Sequence, residues 1–273
     1  MRWTRVTAVL AGTGAILAGL TSAAGASDSD AAVIGGDVAD GKYPFIVNLT
    51  LDGPPEPLHR CGASLVSPTW AVTAAHCVAG VDDLTQLTAR VGSNDRTEGG
   101  EQRRVVEKVV HPGYGEGEFV GDDVALVRLA EPVDAEPIDL ADATATDPGA
   151  DVRMLGWGST CQDPVTCPAP EKPRQLHQLD TRVVAPELCT DRKTDAELCV
   201  GERDGGVGAC HGDSGGPLLV RTGPETWSLA GATSRSGQGE SECAEGPALF
   251  TSVAAYSEWI DQVVDDRDVT AAA

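Results

Sequence analysis

The sequence predicts an all-β protein that ends in a single helix, and two observations carry this expectation. Apolar, β-branched runs of four to eight residues recur along the chain, cut apart by clusters of Gly, Pro, Asp and Asn, a spacing that suggests barrels or sandwiches. Helical periodicity is persuasive only near the end, where Val253, Tyr256, Trp259, Ile260, Val263 and Val264 recur at three- and four-residue steps and so form one apolar stripe.

At the amino terminus, Arg2 and Arg5 precede an apolar run from Val6 to Leu20 and the small residues Ala24-Gly25-Ala26, the layout of a secretory signal peptide cleaved near Ala26. Thr and Gly interrupt the run, which falls short of the ~20 apolar residues of a membrane span. Residues 1–26 are expected to be removed, leaving a secreted, extracellular protein with no stable membrane association. The strand candidates that follow are Phe45 to Leu51, Ala63 to Val66, Ala71 to Ala74, Leu87 to Val91, Arg104 to Val110 and Val124 to Leu129. After them come Val152 to Leu155, Gln178 to Val184, Pro217 to Val220, Trp227 to Thr233 and Ala248 to Val253. The Pro- and Ala-rich stretch from Glu131 to Ala150 reads as a connection between two halves, and Asp265 to Ala273 as a frayed polar tail.

All eight cysteines, Cys61, Cys77, Cys161, Cys167, Cys189, Cys199, Cys210 and Cys243, lie beyond the leader, and an even count in an oxidising compartment reads as four disulfides. Zinc is disfavoured because there is no C-x-x-C pair and no His at ligand spacing from one. The net charge of -22 is spread over the chain and not gathered in one block, which argues for a solvated acidic surface and against nucleic-acid binding.

Three segments carry chemistry. Gly212-Asp213-Ser214-Gly215-Gly216-Pro217 sets a serine between glycines that let the backbone turn sharply and present N–H groups and a hydroxyl. Thr73-Ala74-Ala75-His76-Cys77 pins an imidazole beside a cysteine, and Asp123-Val124-Ala125-Leu126 puts a carboxylate at the mouth of a buried strand. Together these are the parts of a nucleophile, base and orienter system.

On these three motifs, in this order, the chain resembles the chymotrypsin-like serine protease family, from Val33 to about Val264, and is expected to be a secreted, bacterial-type member. The resemblance implies two six-stranded antiparallel β-barrels, over 33–140 and 141–264 with the terminal helix, and a serine endopeptidase. By resemblance Ser214 attacks the carbonyl, His76 moves the proton, Asp123 holds the imidazole, and the N–H groups of Gly212 and Ser214 form the oxyanion hole. The family places its acid immediately before the apolar strand, which favours Asp123 over Asp122. His59 and His111 match structural positions, His177 has no motif around it, and His211 falls on the rim of the substrate pocket. Family pairings carry over as Cys61 with Cys77, Cys189 with Cys199 and Cys210 with Cys243, leaving Cys161 for Cys167.

Val33-Ile34-Gly35-Gly36 resembles the family's activation site, making residues 27–32 a propeptide and Val33 with Asp213 the pair that locks the working geometry after cleavage. In trypsin-like relatives the floor of the specificity pocket is an aspartate; here it is Gly208, and a basic side chain would be buried unpaired. Ser234-Arg235-Ser236 stands where Ser-Trp-Gly is usual, and Ala248, where many relatives have Gly, narrows the pocket. Small or medium apolar residues are therefore expected at the cleaved position. The alternative is acidic specificity through Arg235, whose bland role is a rim charge paired with Glu240 or Glu242. Polypeptides are the expected partners, the chain a monomer, and no cofactor or metal is expected. The loop from Ser93 to Glu101 matches a calcium loop of some relatives at Glu98 and Glu101 but has Ser93 where a ligand glutamate belongs. A non-catalytic binding homologue is the rival reading, against which the chain keeps all three triad residues.

Overall fold

A computed structural model of the chain describes residues 1, 33–53, 57–115, 121–160, 173–223, 226–239 and 243–271. The signal peptide, the propeptide, Cys161 with Cys167, and Glu240 with Glu242 lie outside the described residues. The strands are β1 (Asp37–Val38), β2 (Ile46–Leu51), β3 (Leu58–Ser67), β4 (Trp70–Thr73), β5 (Leu87–Val91), β6 (Glu101–Val110), β7 (Ala125–Leu129), β8 (Asp151–Gly156), β9 (His177–Arg182), β10 (Glu197–Val200), β11 (Pro217–Arg221), β12 (Trp227–Ser236) and β13 (Ala248–Ser252). Two helices, α1 (Ala75–Val78) and α2 (Ser257–Ala271), complete the frame.

Strands β2 to β7 close into a six-stranded antiparallel barrel in the order β2-β3-β4-β7-β6-β5. Period-two alternation sends Cys61, Ala63 and Leu65 of β3 and Leu87, Ala89 and Val91 of β5 inward, where they meet Ile46, Leu49, Trp70, Leu126 and Leu129, all essentially without solvent exposure. The remaining strands form a seven-stranded sheet, β1-β9-β8-β11-β12-β13-β10. Its last six members curl until Val183, just past β9, bridges Val200 of β10, through bonds from Val184 N to Cys199 O (2.8 Å) and from Gly201 N to Arg182 O (3.1 Å). The second body is thus a barrel closed at a single bridge, with β1 added at its edge. Val152, Met154, Leu218, Val220, Ala230 and Phe250 fill it, and Val33 is buried among them.

The structure differs from the sequence reading at several elements. Strand β10 was missed because Glu197 and the charges before it hide a short apolar run. The two-residue β1 and four-residue α1 are too short to leave a periodic signal. The polar tail expected from Asp265 remains helical to Ala271, and an ion pair between Arg267 and Glu107 of β6 ties its continuation to the first barrel. The connection between the halves is held at its middle by backbone bonds to both barrels, from Ile138 N to Leu65 O (2.9 Å) and from Ala141 N to Leu229 O (2.8 Å). Three disulfides are described, Cys61–Cys77, Cys189–Cys199 and Cys210–Cys243.

Candidate active site

His76 lies on α1, directly after β4, while Asp123 precedes β7, the strand paired with β4. That pairing sets the two side by side. The His76 N–H and its Nδ1 reach Asp123 Oδ1 and Oδ2 at 2.9 and 2.8 Å, so both carboxylate oxygens are used by one residue. Ser234 Oγ adds a third bond, donated to Asp123 Oδ2 at 2.6 Å. Burial alone would raise the Asp123 carboxyl, but the bonds and charge of His76 and the hydroxyl of Ser234 outweigh it and hold the pKa below the ordinary value. Stability from this depressed carboxyl is present above the unfolded carboxylate range and is lost as the pH falls through its folded pKa. Asp122 faces elsewhere, accepting a hydrogen bond from the Tyr256 hydroxyl.

Helix α1 is braced from two sides. The Cys61–Cys77 disulfide joins it to β3, and Lys108 of β6 sets its ammonium 2.9, 2.8 and 2.8 Å from the carbonyl oxygens of Val78, Ala79 and Val81. One cation thus serves three carbonyls at the helix end, where intrahelical N–H partners run out; Val78 O accepts from Val81 N as well, at 3.0 Å. Lys108→Met is expected to lower the unfolding free energy by about 1–3 kcal/mol, the scale of stranded polar groups, in denaturant titration. An unchanged midpoint would show that water serves those carbonyls as well.

Ser214 sits in the turn between β10 and β11, flanked by Gly212 at φ 105° and Gly215 at φ 70°, conformations that side chains resist. The turn is pinned to its surroundings: Gly62 N donates to Ser214 O at 2.8 Å, and His59 Nε2 is 2.8 Å from Gly212 O. Among the described residues the Gly212 and Ser214 N–H groups enter no backbone bond, which leaves them available to a ligand oxygen. Asp213, 2 % exposed, accepts from the N–H groups of Gly158 and Cys210, both at 2.8 Å. Gly156 and Gly158 leave room for its carboxylate, since a Cβ at either would overlap it.

His76, Ser214, His211, Ser234, Arg235, Ser236 and Ala248 all line one cavity of about 470 Å³, with Asp123 behind its wall. Ala209 and Cys210 line the cavity next to Gly208, the floor expected from sequence, whose N–H bonds Ile34 O at 2.9 Å. Ala244, Pro247 and the Cys210–Cys243 bridge complete an apolar wall. Larger hollows of about 690 and 680 Å³ lie at one end of the second barrel and beside α2, and neither is lined by a histidine or a cysteine. The sulfurs of Cys61 and Cys77 approach His76, but bonded to each other they offer no thiolate to a metal.

Arg235 is neither a free cation nor a rim charge. Its side chain is 9 % exposed, with Nη1 2.6 Å from Glu197 Oε1 and Nε 3.1 Å from Asp191 Oδ2. Burial would lower its pKa, but the two carboxylates hold it above the usual arginine value. Glu197 and Asp191 escaped the sequence reading because they look like surface acids of a polar loop. An arginine directly after the apolar run of β12, between Ser234 and Ser236, was the one local sign of a partner.

The comparisons with known proteins follow this geometry. A family model described as Trypsin matches residues 33–260. Trypsin zeta of Drosophila erecta is 34 % identical, across 86 % of this chain and 86 % of its own. Serine protease 56 of Mus musculus is 32 % identical across 84 % of this chain and 38 % of its own, and Transmembrane protease serine 9 of Rattus norvegicus 35 % identical across 84 % and 22 %. The chain thus spans most of the first and less than half of the other two. All three are animal proteins, so the expectation of a bacterial-type member is not borne out.

Proposed function

Because the chain belongs to the trypsin family and is a serine endopeptidase, we propose that it cleaves polypeptides through His76, Asp123 and Ser214, after small or medium apolar residues. The observation that carries the reading is His76 held on both oxygens of a buried carboxylate while lining one cavity with Ser214. Ser214 Oγ attacks the substrate carbonyl carbon as His76 Nε2 takes its proton. The tetrahedral oxyanion is received by the Gly212 and Ser214 N–H groups, each donor worth about 3 kcal/mol in such sites. His76 then protonates the leaving amine, and a water molecule, deprotonated by the same nitrogen, frees the acyl group. Asp123 stays ionised throughout, orienting the imidazole and stabilising its charged form.

Specificity follows from the cavity wall. Ala209, Ala244, Ala248 and Pro247 offer no charge, so a basic side chain entering there would lose its hydration unpaired. Acidic specificity through Arg235 loses its support, because Glu197 and Asp191 already engage the guanidinium. The reading includes removal of residues 1–26 on secretion, a propeptide of residues 27–32, barrels over 33–140 and 141–264, and pairing of a freed Val33 ammonium with Asp213. No helix among the described residues is long and apolar enough to cross a membrane. Labelling the processed protein with an organophosphonate and profiling it on a peptide library is expected to give an adduct on Ser214 and cuts after Ala, Val or similar residues. An unlabelled Ser214 would remove the triad reading, and cuts confined to Lys and Arg would remove the pocket reading.

A further inference from the structure

In β12, Ser234 and Arg235 are adjacent, and strand alternation would send them to opposite faces. The register of β12 on β13 slips between Thr233, opposite Phe250, and Arg235, opposite Leu249, and this irregularity lets both side chains turn to the same network. Arg235 Nη1 donates to Ser234 Oγ at 3.3 Å, and Ser234 Oγ in turn donates to Asp123 Oδ2 at 2.6 Å. A hydroxyl has one proton. With a guanidinium donating into its lone pair, Ser234 has only the carboxylate left as the target of that proton, and the bond it donates is polarised and strengthened.

The guanidinium is itself fixed. Nε and Nη2 hold Asp191 at its Oδ2 (3.1 Å) and its carbonyl (3.0 Å), while Nη1 is paired with Glu197, whose side chain is fully buried. Glu197 Oε2 also accepts from Lys193 N at 2.6 Å, and Lys193 Nζ pairs with Asp191 at 2.8 Å. The loop from Asp191 to Glu197 is thereby clamped to β12, and its Thr194 packs against Gly121, which precedes Asp122 and Asp123.

We propose that Arg235 is a positioning residue of the catalytic acid. Through Ser234 it fixes how strongly Asp123 is hydrogen-bonded, and so the pH at which His76 loses its proton. The inference rests on the triad reading above. The charged and titratable groups around the pair are Asp122 and Tyr114 beside Asp123, His211 across the cavity, and Arg235 with Glu197, Asp191 and Lys193 beyond Ser234. Weakening the Ser234 bond leaves Asp123 more basic, which strengthens its hold on the charged form of the imidazole beside it.

The test is the His76 titration, followed by NMR of histidine-labelled, processed enzyme. Arg235→Met combined with Glu197→Gln removes the charge pair together, keeps an acceptor for Lys193 N, and avoids a stranded buried charge. In this variant the His76 midpoint is expected to rise by about 0.5 pH unit, the scale of one lost cooperative partner, and the acid limb of kcat/KM should rise with it. Made in a Ser234→Ala background, the same pair should produce no further rise. A midpoint that does not move, or that moves equally with and without Ser234, overturns the proposal. Failure of the triad reading looks different: the wild-type enzyme would then take no phosphonate at Ser214, although its histidine titrations remain readable.

Discussion

Ser214→Ala is expected to lower turnover by about 10⁴- to 10⁶-fold without unfolding the protein, and His76→Ala by a similar factor, with the double variant no slower than either alone. On the proposed reading the two residues perform one act, transfer of a proton during attack, so removing either should abolish it entirely. What remains in each variant is cavity binding and the paired N–H groups of Gly212 and Ser214, which the substitutions do not touch. The fold should tolerate both changes. Ser214 is only half-buried and the tie to Gly62 uses its carbonyl, while α1 keeps its disulfide and its Lys108 cap when the imidazole is removed. Initial rates on a good peptide substrate, together with thermal unfolding, check this. A double variant slower by the product of the two single effects would mean that His76 and Ser214 act in separate steps.

The second large effect concerns maturation. A Ser214→Ala proform incubated with active enzyme is expected to yield a chain beginning Val33-Ile34-Gly35, whereas Ala32→Arg should stop self-processing and make it depend on added trypsin. In the proposed maturation the bond cut is Ala32-Val33, which presents alanine to the enzyme that cuts it. Alanine suits a cavity walled by Ala209, Ala244 and Ala248, and an arginine there would meet no countercharge. Val33 is 1 % exposed and packed in the second barrel's core, so the bond must be cut before, or during a departure from, the arrangement described here. Amino-terminal sequencing after incubation decides the matter. An intact Ser214→Ala proform beside demonstrably active enzyme would assign activation to another protease.

Much of the first barrel could be read from the sequence because its strands alternate cleanly, as in Leu87, Ala89 and Val91, and local alternation is what a strand writes into a sequence. The motif residues of the candidate site could be read for a similar reason: His76, Asp123 and Ser214 each sit in a short segment whose backbone demands are local, glycines above all. What escaped depends on contacts between distant segments. Glu197 becomes a buried ion only because Arg235, on another strand, comes to lie beside it, and β10 was hidden by the same glutamate. The bridge between Gly208 and Ile34 is likewise a pairing no local pattern announces. The helix persists past Asp265 beside a tertiary ion pair from Arg267, where local composition alone suggests fraying.

Gly62 does more than fill a strand. Its N–H holds the Ser214 carbonyl, its own carbonyl accepts from Thr73 Oγ1 at 2.8 Å in the strand that leads to His76, and a Cβ there would come within 2.7 Å of Gly216 Cα. Gly62 is thus one joint between the Ser214 turn and the strand that leads to His76, beside the bonds from His59 to Gly212 O and from Ser234 to Asp123. On the proposed reading, the residues that tie the reacting groups together are different stretches of chain from Ala244, Pro247 and Ala248, which wall the cavity, so substitutions in that wall are expected to change what enters and leave the proton transfer as it was.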